Sequence, residues 1–317
     1  MELKSLRSAW LSGALVAALV AAALWWPGAG ELRTRAAALP AAAWIGALVG
    51  LGASYALRAL RLQDEWRLLP LCWSTALAIA LVHSAAINLL PLRAGEAGYP
   101  WLLHRRCGVA LADAGASLLW LRAQDAAVIA LLMGVALGPA AEAPWRAAFA
   151  LAAACALAWG LPAGARWALG RWPGGDRAQG PVARLLPVLL RAAARARARS
   201  WLWSGLNWIV KIGALALLLA PLARVPWLGA ARGALFGEAA AALPVQAPAG
   251  FGTYEAAVWL GLQVPAGAGP EATTALGAAL IAHLFVLLTS AAGAALVAGS
   301  LVARVGVRDA AHRGPSR

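Results

Sequence analysis

Apolar residues in this chain fall in long blocks separated by short polar interruptions, without the alternation of buried and solvated faces that a water-soluble domain needs. Helices are predicted over residues 9–26, 41–62, 68–90, 107–121, 125–137 and 145–161, then over 201–222 and 227–243. A short helix is predicted to reach about residue 263, and a last long one covers 271–303. A helix needs about 20 consecutive apolar residues to cross a hydrocarbon core of roughly 30 Å. Several blocks meet that length, so the pattern predicts an all-α, polytopic transmembrane bundle. The short stretch around Arg33 and Arg35 and the charged run 63–67 read as loops.

Two interruptions are built alike. The first reads Asn88-Leu89-Leu90-Pro91-Leu92-Arg93-Ala94-Gly95-Glu96, and the second runs from Leu243-Pro244 through Gln246, Pro248, Gly250 and Gly252 to Glu255. In each, Leu-Pro ends an apolar helix and a glycine-bearing turn leads to a glutamate. Proline and glycine in apolar segments suit broken or re-entrant helices, which are tolerated at membrane depth only where protein or a wet cavity satisfies the freed backbone. The hinges are expected at Pro91, Gly95, Pro244, Gly250 and Gly252. One break per half predicts two internal repeats, about 1–165 and 200–303, within one transmembrane domain spanning 1–317. Counting the segments as alternating crossings puts the two breaks on opposite sides of the bilayer.

Composition agrees: 62% of the 317 residues are hydrophobic and only 13% are charged, against roughly 45–50% and 25% in average soluble domains. The net charge of +14 is carried almost wholly by arginine. Arginines beside apolar segments report cytoplasmic loops and attract anionic lipid headgroups, and no nucleic-acid partner is expected. Eight arginines against Asp176 alone make 166–199 a basic cytoplasmic loop, with an amphipathic surface helix over 182–200. Both termini are placed in the cytoplasm. Lys4 and Arg7 before an apolar run imitate a signal peptide, but an uncleaved first helix is the preferred interpretation.

Chemistry-bearing residues are sparse. Glu96 and Glu255 stand out, because a carboxylate at membrane depth is paired, protonated or turned to a water-filled cavity. The alternative is that both lie at the interface and cap helices. Arg93 or Arg122 is placed to reach Glu96. Arg122 and Asp125, three apart, share a helix face, either as a structural pair at a helix end or as substrate ligands. Lys211 is expected to snorkel to the interface. The 17 tryptophans, Trp44, Trp66 and Trp227 among them, read as interfacial anchors. Cys72, Cys107 and Cys155 read as buried small hydrophobes, and the four histidines as scattered. No metal site, cofactor or catalytic constellation is expected, and no nucleotide-binding glycine loop is present.

These motifs resemble the transmembrane region of bacterial lysylphosphatidylglycerol synthase, a flippase-like integral membrane family. The match comprises Asn88, Leu90-Pro91, Arg93 and Gly95-Glu96; Arg122 and Asp125; Pro244, Pro248, Gly250, Gly252 and Glu255; and the pair Arg58 and Arg61. It covers about residues 10–302. Two positions depart from the family pattern: Ala249-Gly250-Phe251-Gly252 replaces adjacent glycines, and Tyr99 and Trp101 stand where basic residues follow the first Gly-Glu. The resemblance implies lipid handling in a bacterial inner membrane. The substrate is expected to be a membrane lipid, anionic in character, of phospholipid, isoprenoid or hopanoid type, moved between leaflets. The soluble transferase domain of the full synthase has no room after the last helix, so aminoacyl transfer is not expected. An intramembrane lipid-modifying enzyme and a non-catalytic partner of a lipid-synthesis complex are the rival functions. Homo-oligomers or lipid-synthesis enzymes are the protein partners considered. The residues expected to bind or pass substrate are Asn88, Arg93, Glu96, Arg122, Asp125, Gln246 and Glu255. Arginines would hold a phosphate, and glutamates would hold a cationic headgroup or exchange protons.

Overall fold

The computed structural model describes residues 29–137, 160, 163–168, 171, 181–195, 197–243, 247–264 and 269–312. Among them there is no strand, and helix follows helix. The order is α1 (Ala29–Ala37), α2 (Ala41–Glu65), α3 (Trp73–Leu89), a 3-10 turn (Pro91–Ala97), α4 (Gly98–Cys107), α5 (Leu111–Leu137) and α6 (Pro181–Arg195). Then come α7 (Ala198–Ala223), α8 (Trp227–Ala242), a second 3-10 turn (Pro248–Gly250), α9 (Thr253–Leu262) and α10 (Ala272–His312). Among the described residues, four helices are long and apolar enough to cross a membrane: α2, α5, α7 and the part of α10 over Ala272–Ala298. The predicted segments at 9–26 and 145–161 lie outside the described residues.

Both Leu-Pro steps end their helices for the same reason. A proline's ring disfavours the α conformation in the residue before it. Leu90 accordingly leaves α3 at φ −87°, ψ 137°, and Leu243 leaves α8 at φ −66°, ψ 146°. The chain then turns back. α3 packs against the first turn and α4, and α8 lies along α9, so each break closes a helical hairpin. Close packing in the second hairpin depends on small residues, as in lipid-embedded helix pairs. A Cβ on Gly261 would lie 2.8 Å from the Arg232 carbonyl oxygen and 2.9 Å from Gly233 Cα. The first break is tighter still: a Cβ on Gly95 would sit 2.1 Å from the carbonyl carbon of Ala86.

The long helices assemble these hairpins. α2 packs along α7, α3 against α10, and α8 against α7 and α5. The two turns touch each other, and the second also touches α3. The larger apolar core collects Leu51, Leu215, Leu218, Leu219, Val258 and alanines of α8 and α10. A smaller one holds Ala59, Leu62, Ile79, Leu102 and Leu103 around α4.

Several expectations are corrected. The segments 107–121 and 125–137 are one helix, α5, continuous through Arg122, Ala123 and Gln124, because neither glycine nor proline interrupts that stretch. Arg122 and Asp125 therefore lie in mid-helix, not at an end. The loop around Arg33 and Arg35 is α1, with Arg35 paired to Glu31 one turn earlier at 2.5 Å. Trp66 is buried rather than an interfacial anchor, donating its indole N–H to the Tyr99 hydroxyl at 3.3 Å. Cys72 is exposed rather than buried. Cys155 lies outside the described residues.

Candidate functional site

A cavity of about 630 Å³ opens between α2, α3, α5, α7 and α8, and charged side chains from several of them line it. Its lining holds three cations, Arg58, Arg122 and Lys211, and three carboxylates, Glu96, Asp125 and Glu238. Asn88, Ser54, Tyr55 and Ser84 add neutral polar groups. Leu119, which is 60% exposed, forms part of the wall, so the cavity's edge reaches the outer apolar surface of the bundle.

Each carboxylate has a cationic partner. The Pro91 break and the close approach at Gly95 bring Glu96 back toward α5, where the Arg122 guanidinium donates to it at 3.1 Å. His83 Nε2 on α3 lies 3.8 Å from the same carboxylate. Asp125 is the busiest acceptor: its Oδ1 receives Arg61 Nη1 at 2.6 Å, Ser204 Oγ at 2.7 Å and Trp208 Nε1 at 3.2 Å. Arg122 stands 3.8 Å from its other oxygen. Arg61 is anchored further by the Leu121 carbonyl at 2.9 Å and Gln124 Oε1 at 2.8 Å.

Lys211 does not snorkel. Its ammonium pairs with Glu238 on α8, both nearly buried, because the α7–α8 packing closes the route to an interface. A carboxylate buried in a bundle is kept by such a partner.

Arg58 differs from these. Its Nε donates to Asn207 Oδ1 at 3.2 Å and its Nη1 to Ser84 Oγ at 3.0 Å, both neutral acceptors. Ser54 donates to the same Asn207 oxygen at 2.7 Å. Among the described residues no carboxylate lies within ion-pair distance of Arg58. Arg58 thus makes its hydrogen bonds to an amide and a hydroxyl, and feels the Asp125 carboxylate only from beyond ion-pair distance.

Asn88, the penultimate residue of α3, faces this cavity and donates to Ser290 Oγ on α10 at 2.8 Å. That hydroxyl also meets Tyr55 OH of α2 at 2.8 Å. Glu255 lies apart from the large cavity. Its Oε2 accepts the Gly252 N–H at 2.6 Å, which caps α9, and its Oε1 meets His283 Nδ1 of α10 at 2.7 Å. The capping alternative thus describes one oxygen of Glu255 and leaves the other to the histidine.

Glu96, Arg122, Asp125 and Asn88 are therefore brought together, while Glu255 stands apart against His283, which lines a neighbouring pocket. The side chain of Arg93, and all of Pro244 and Gln246, lie outside what is described. Sequence reasoning missed Arg58 as a site residue, along with Glu238, His83 and His283. Glu238 sits in an alanine-rich helix, and the signal that could have found it is a lone carboxylate in an apolar block. The histidines were legible only through their partners, 13 and 28 positions away. No group of histidine, cysteine and carboxylate suited to a metal ion occurs among the described residues.

Comparison with curated proteins and with solved structures gave no match. The family model for the lysylphosphatidylglycerol synthase TM region matches residues 10–293, which takes in both hairpins and every helix that lines the cavity. Matched over most of its length, this helical chain belongs to the lysylphosphatidylglycerol synthase transmembrane-region family.

Proposed function

We propose that this membrane protein binds a phospholipid headgroup in the cavity and carries it between leaflets while the acyl chains stay in the bilayer. The observation that carries this is Arg58, a guanidinium facing a cavity in which every carboxylate is already paired. Guanidinium binds phosphate oxygens bidentately, and a phosphodiester supplies the single negative charge that Arg58 lacks. Charged groups retained among apolar helices mark a substrate path. A volume of about 630 Å³ lies in the range of roughly 300–1,000 Å³ that encloses one small molecule. It suits a headgroup and excludes two acyl chains. The wall at Leu119 gives those chains a lateral exit into lipid.

Arg122 is held by Glu96 and Asp125, and its role is to fix the first hairpin against α5. A cationic substituent on the headgroup would compete for those carboxylates. The two stretches α2–α5 and α7–α10 run through the same sequence of long helix, medium helix, 3-10 turn, ten-residue helix and long helix, and we take them as inverted repeats with the cavity between them. The setting is a bacterial inner membrane with both termini cytoplasmic. The activity is movement of the lipid rather than its conversion.

The test is reconstitution into phosphatidylcholine vesicles containing fluorescent phosphatidylglycerol, with dithionite quenching of the outer leaflet. The wild-type protein is expected to expose inner-leaflet label far faster than empty vesicles. Arg58→Gln is expected to slow this at least tenfold at unchanged folding, and Arg58→Lys, which keeps charge but loses the bidentate fork, to fall between. Unchanged exchange in Arg58→Gln, no exchange by the wild type, or a new lipid product by mass spectrometry would overturn the proposal.

A further inference from the structure

A second, smaller cavity of about 40 Å³ adjoins the first. The two share Ile87, Asn88, Lys211, Glu238 and Ala241 as walls, so the Lys211–Glu238 pair stands between them. The far wall of the small cavity is the second hairpin's turn, Ala249 and Gly250, with Tyr254 and His283. We propose that Glu255 and His283 form a proton-binding site at this turn, and that proton uptake there drives the hairpin and the lipid movement proposed above, on which this inference rests.

Geometry fixes the roles. Both oxygens of Glu255 are engaged, one by the Gly252 N–H and one by His283 Nδ1, an arrangement that favours the carboxylate as acceptor from both. With Nδ1 donating, the lone pair of the neutral imidazole is on Nε2. A proton arriving through water in the small cavity adds to that lone pair. It gives an imidazolium whose charge is balanced by Glu255, and it departs by the reverse step. No other bond is made or broken. The buried pair is 6% and 9% exposed, so the proton's arrival changes the charge of a nearly enclosed site.

The site is also built into the hinge. The ring of His283 stacks on Tyr254 at 4.4 Å between centroids and lies 5.1 Å from the Phe251 ring. A Cβ on Gly250 would stand 3.4 Å from Cε1 and 3.5 Å from Nε2 of the imidazole. Gly250 and Gly252 take φ of 80° and 81°, and Ala249 between Pro248 and Gly250 is held at 52°. A left-handed alanine persists only where its surroundings over-determine it, and such positions concentrate at moving parts. Charge on His283 thus acts directly on the turn that ends the second hairpin, and that turn touches the first.

The ionisable groups facing the pair are Lys211 from α7, Glu238 from α8, Tyr254 from α9 and none from α3, whose Asn88 and Ile87 are neutral. Glu238 and Lys211 neutralise each other, which leaves Glu255 as the group that answers a charge on His283. Buried acid–histidine sets adjoining a polar path are the usual parts of proton-driven transport.

Two measurements separate this proposal from the one it rests on. First, protein carrying ¹⁵N-histidine is placed in lipid nanodiscs and titrated from pH 5 to 9, with His283→Asn identifying the signal among the four histidines. A pH-dependent His283 resonance is expected. A resonance constant across that range overturns the proton site whether or not lipid moves. Second, vesicle exchange of fluorescent phosphatidylglycerol is measured with and without a pH gradient of one unit, alongside an entrapped pH dye. One proton per lipid allows up to about a tenfold imbalance of label between the leaflets per unit of gradient. Gradient-dependent exchange with matching proton flux is expected in the wild type. Both are expected to be lost in His283→Asn, while exchange without a gradient persists. Wild-type exchange indifferent to the gradient overturns the coupling. If the wild type exchanges no lipid, the translocation proposal and the coupling fall together, and the titration alone decides the proton site.

Discussion

Single residues in this protein are legible by the partner each charge finds. Lys211 and Glu238 are nearly buried and hold each other. Removing one member of a buried pair costs about 3–5 kcal/mol, whereas replacing both with apolar residues of similar volume is close to neutral. Lys211→Met alone is therefore expected to lower the thermal unfolding midpoint sharply in detergent, and Lys211→Met with Glu238→Leu to restore it. Equal midpoints for the single and double variants would contradict the pairing. Cys72 is a different case, fully exposed before the first turn of α3. Hydrogen bonds from Ser74 and then Thr75 lower its thiol to about 7. The thiolate is the reactive form, so maleimide labelling is expected to rise as pH increases through about 7, rather than near 8.5 as for an unperturbed cysteine. A Ser74→Ala variant should move the rise upward. The sequence reading failed here because apolar neighbours alone suggested burial, and it took the N-terminal boundary of α3, five residues later than predicted, to leave Cys72 outside the helix.

At the scale of the element, the two Leu-Pro steps were legible before any coordinate, because proline's effect on its predecessor is local. The continuity of α5 was not. Arg122, Gln124 and Asp125 look like a helix end in an apolar pattern, and only partners on α2, the first turn and α7 make their burial tolerable. Charge pairing was likewise legible in part: Arg122 was one of two partners the sequence offered for Glu96, beside Arg93, while Arg61 with Asp125 requires the α2–α5 contact. Gly95 governs the first hairpin. Gly95→Ala places a methyl 2.1 Å from the Ala86 carbonyl carbon, a backbone clash that no rotamer relieves. It is expected to destabilise the protein by well over the ~1–3 kcal/mol typical of overpacking, and to abolish lipid exchange. Retention of wild-type unfolding and exchange would show that the turn does not approach α3 this closely.

Across the whole molecule, the all-α class and the membrane environment were written in composition and block length, and the family in the spaced motifs. The cavity was not, because its walls come from five helices that only packing brings together. If the hairpins are inverted repeats, their open ends face opposite sides of the membrane. In a variant lacking the other cysteines, Cys72 is expected to react with a membrane-impermeant maleimide from one side only. A cysteine placed at Gln263, just after α9, is expected to react from the other. Labelling of both from the same side would remove the inverted arrangement.

The joint formed by Asn88, Ser290 and Tyr55 ties α2, α3 and α10 through an amide and two hydroxyls, none of them formally charged. Electrolyte weakens attractions between ions, with a Debye length of about 3 Å at 1 M, and has little hold on a neutral hydrogen bond. Concentrated salt therefore reaches the arginines and carboxylates that face water while this three-way clasp keeps its grip. If a headgroup binds in the cavity as proposed, ionic strength is expected to tune its affinity and leave the bundle assembled.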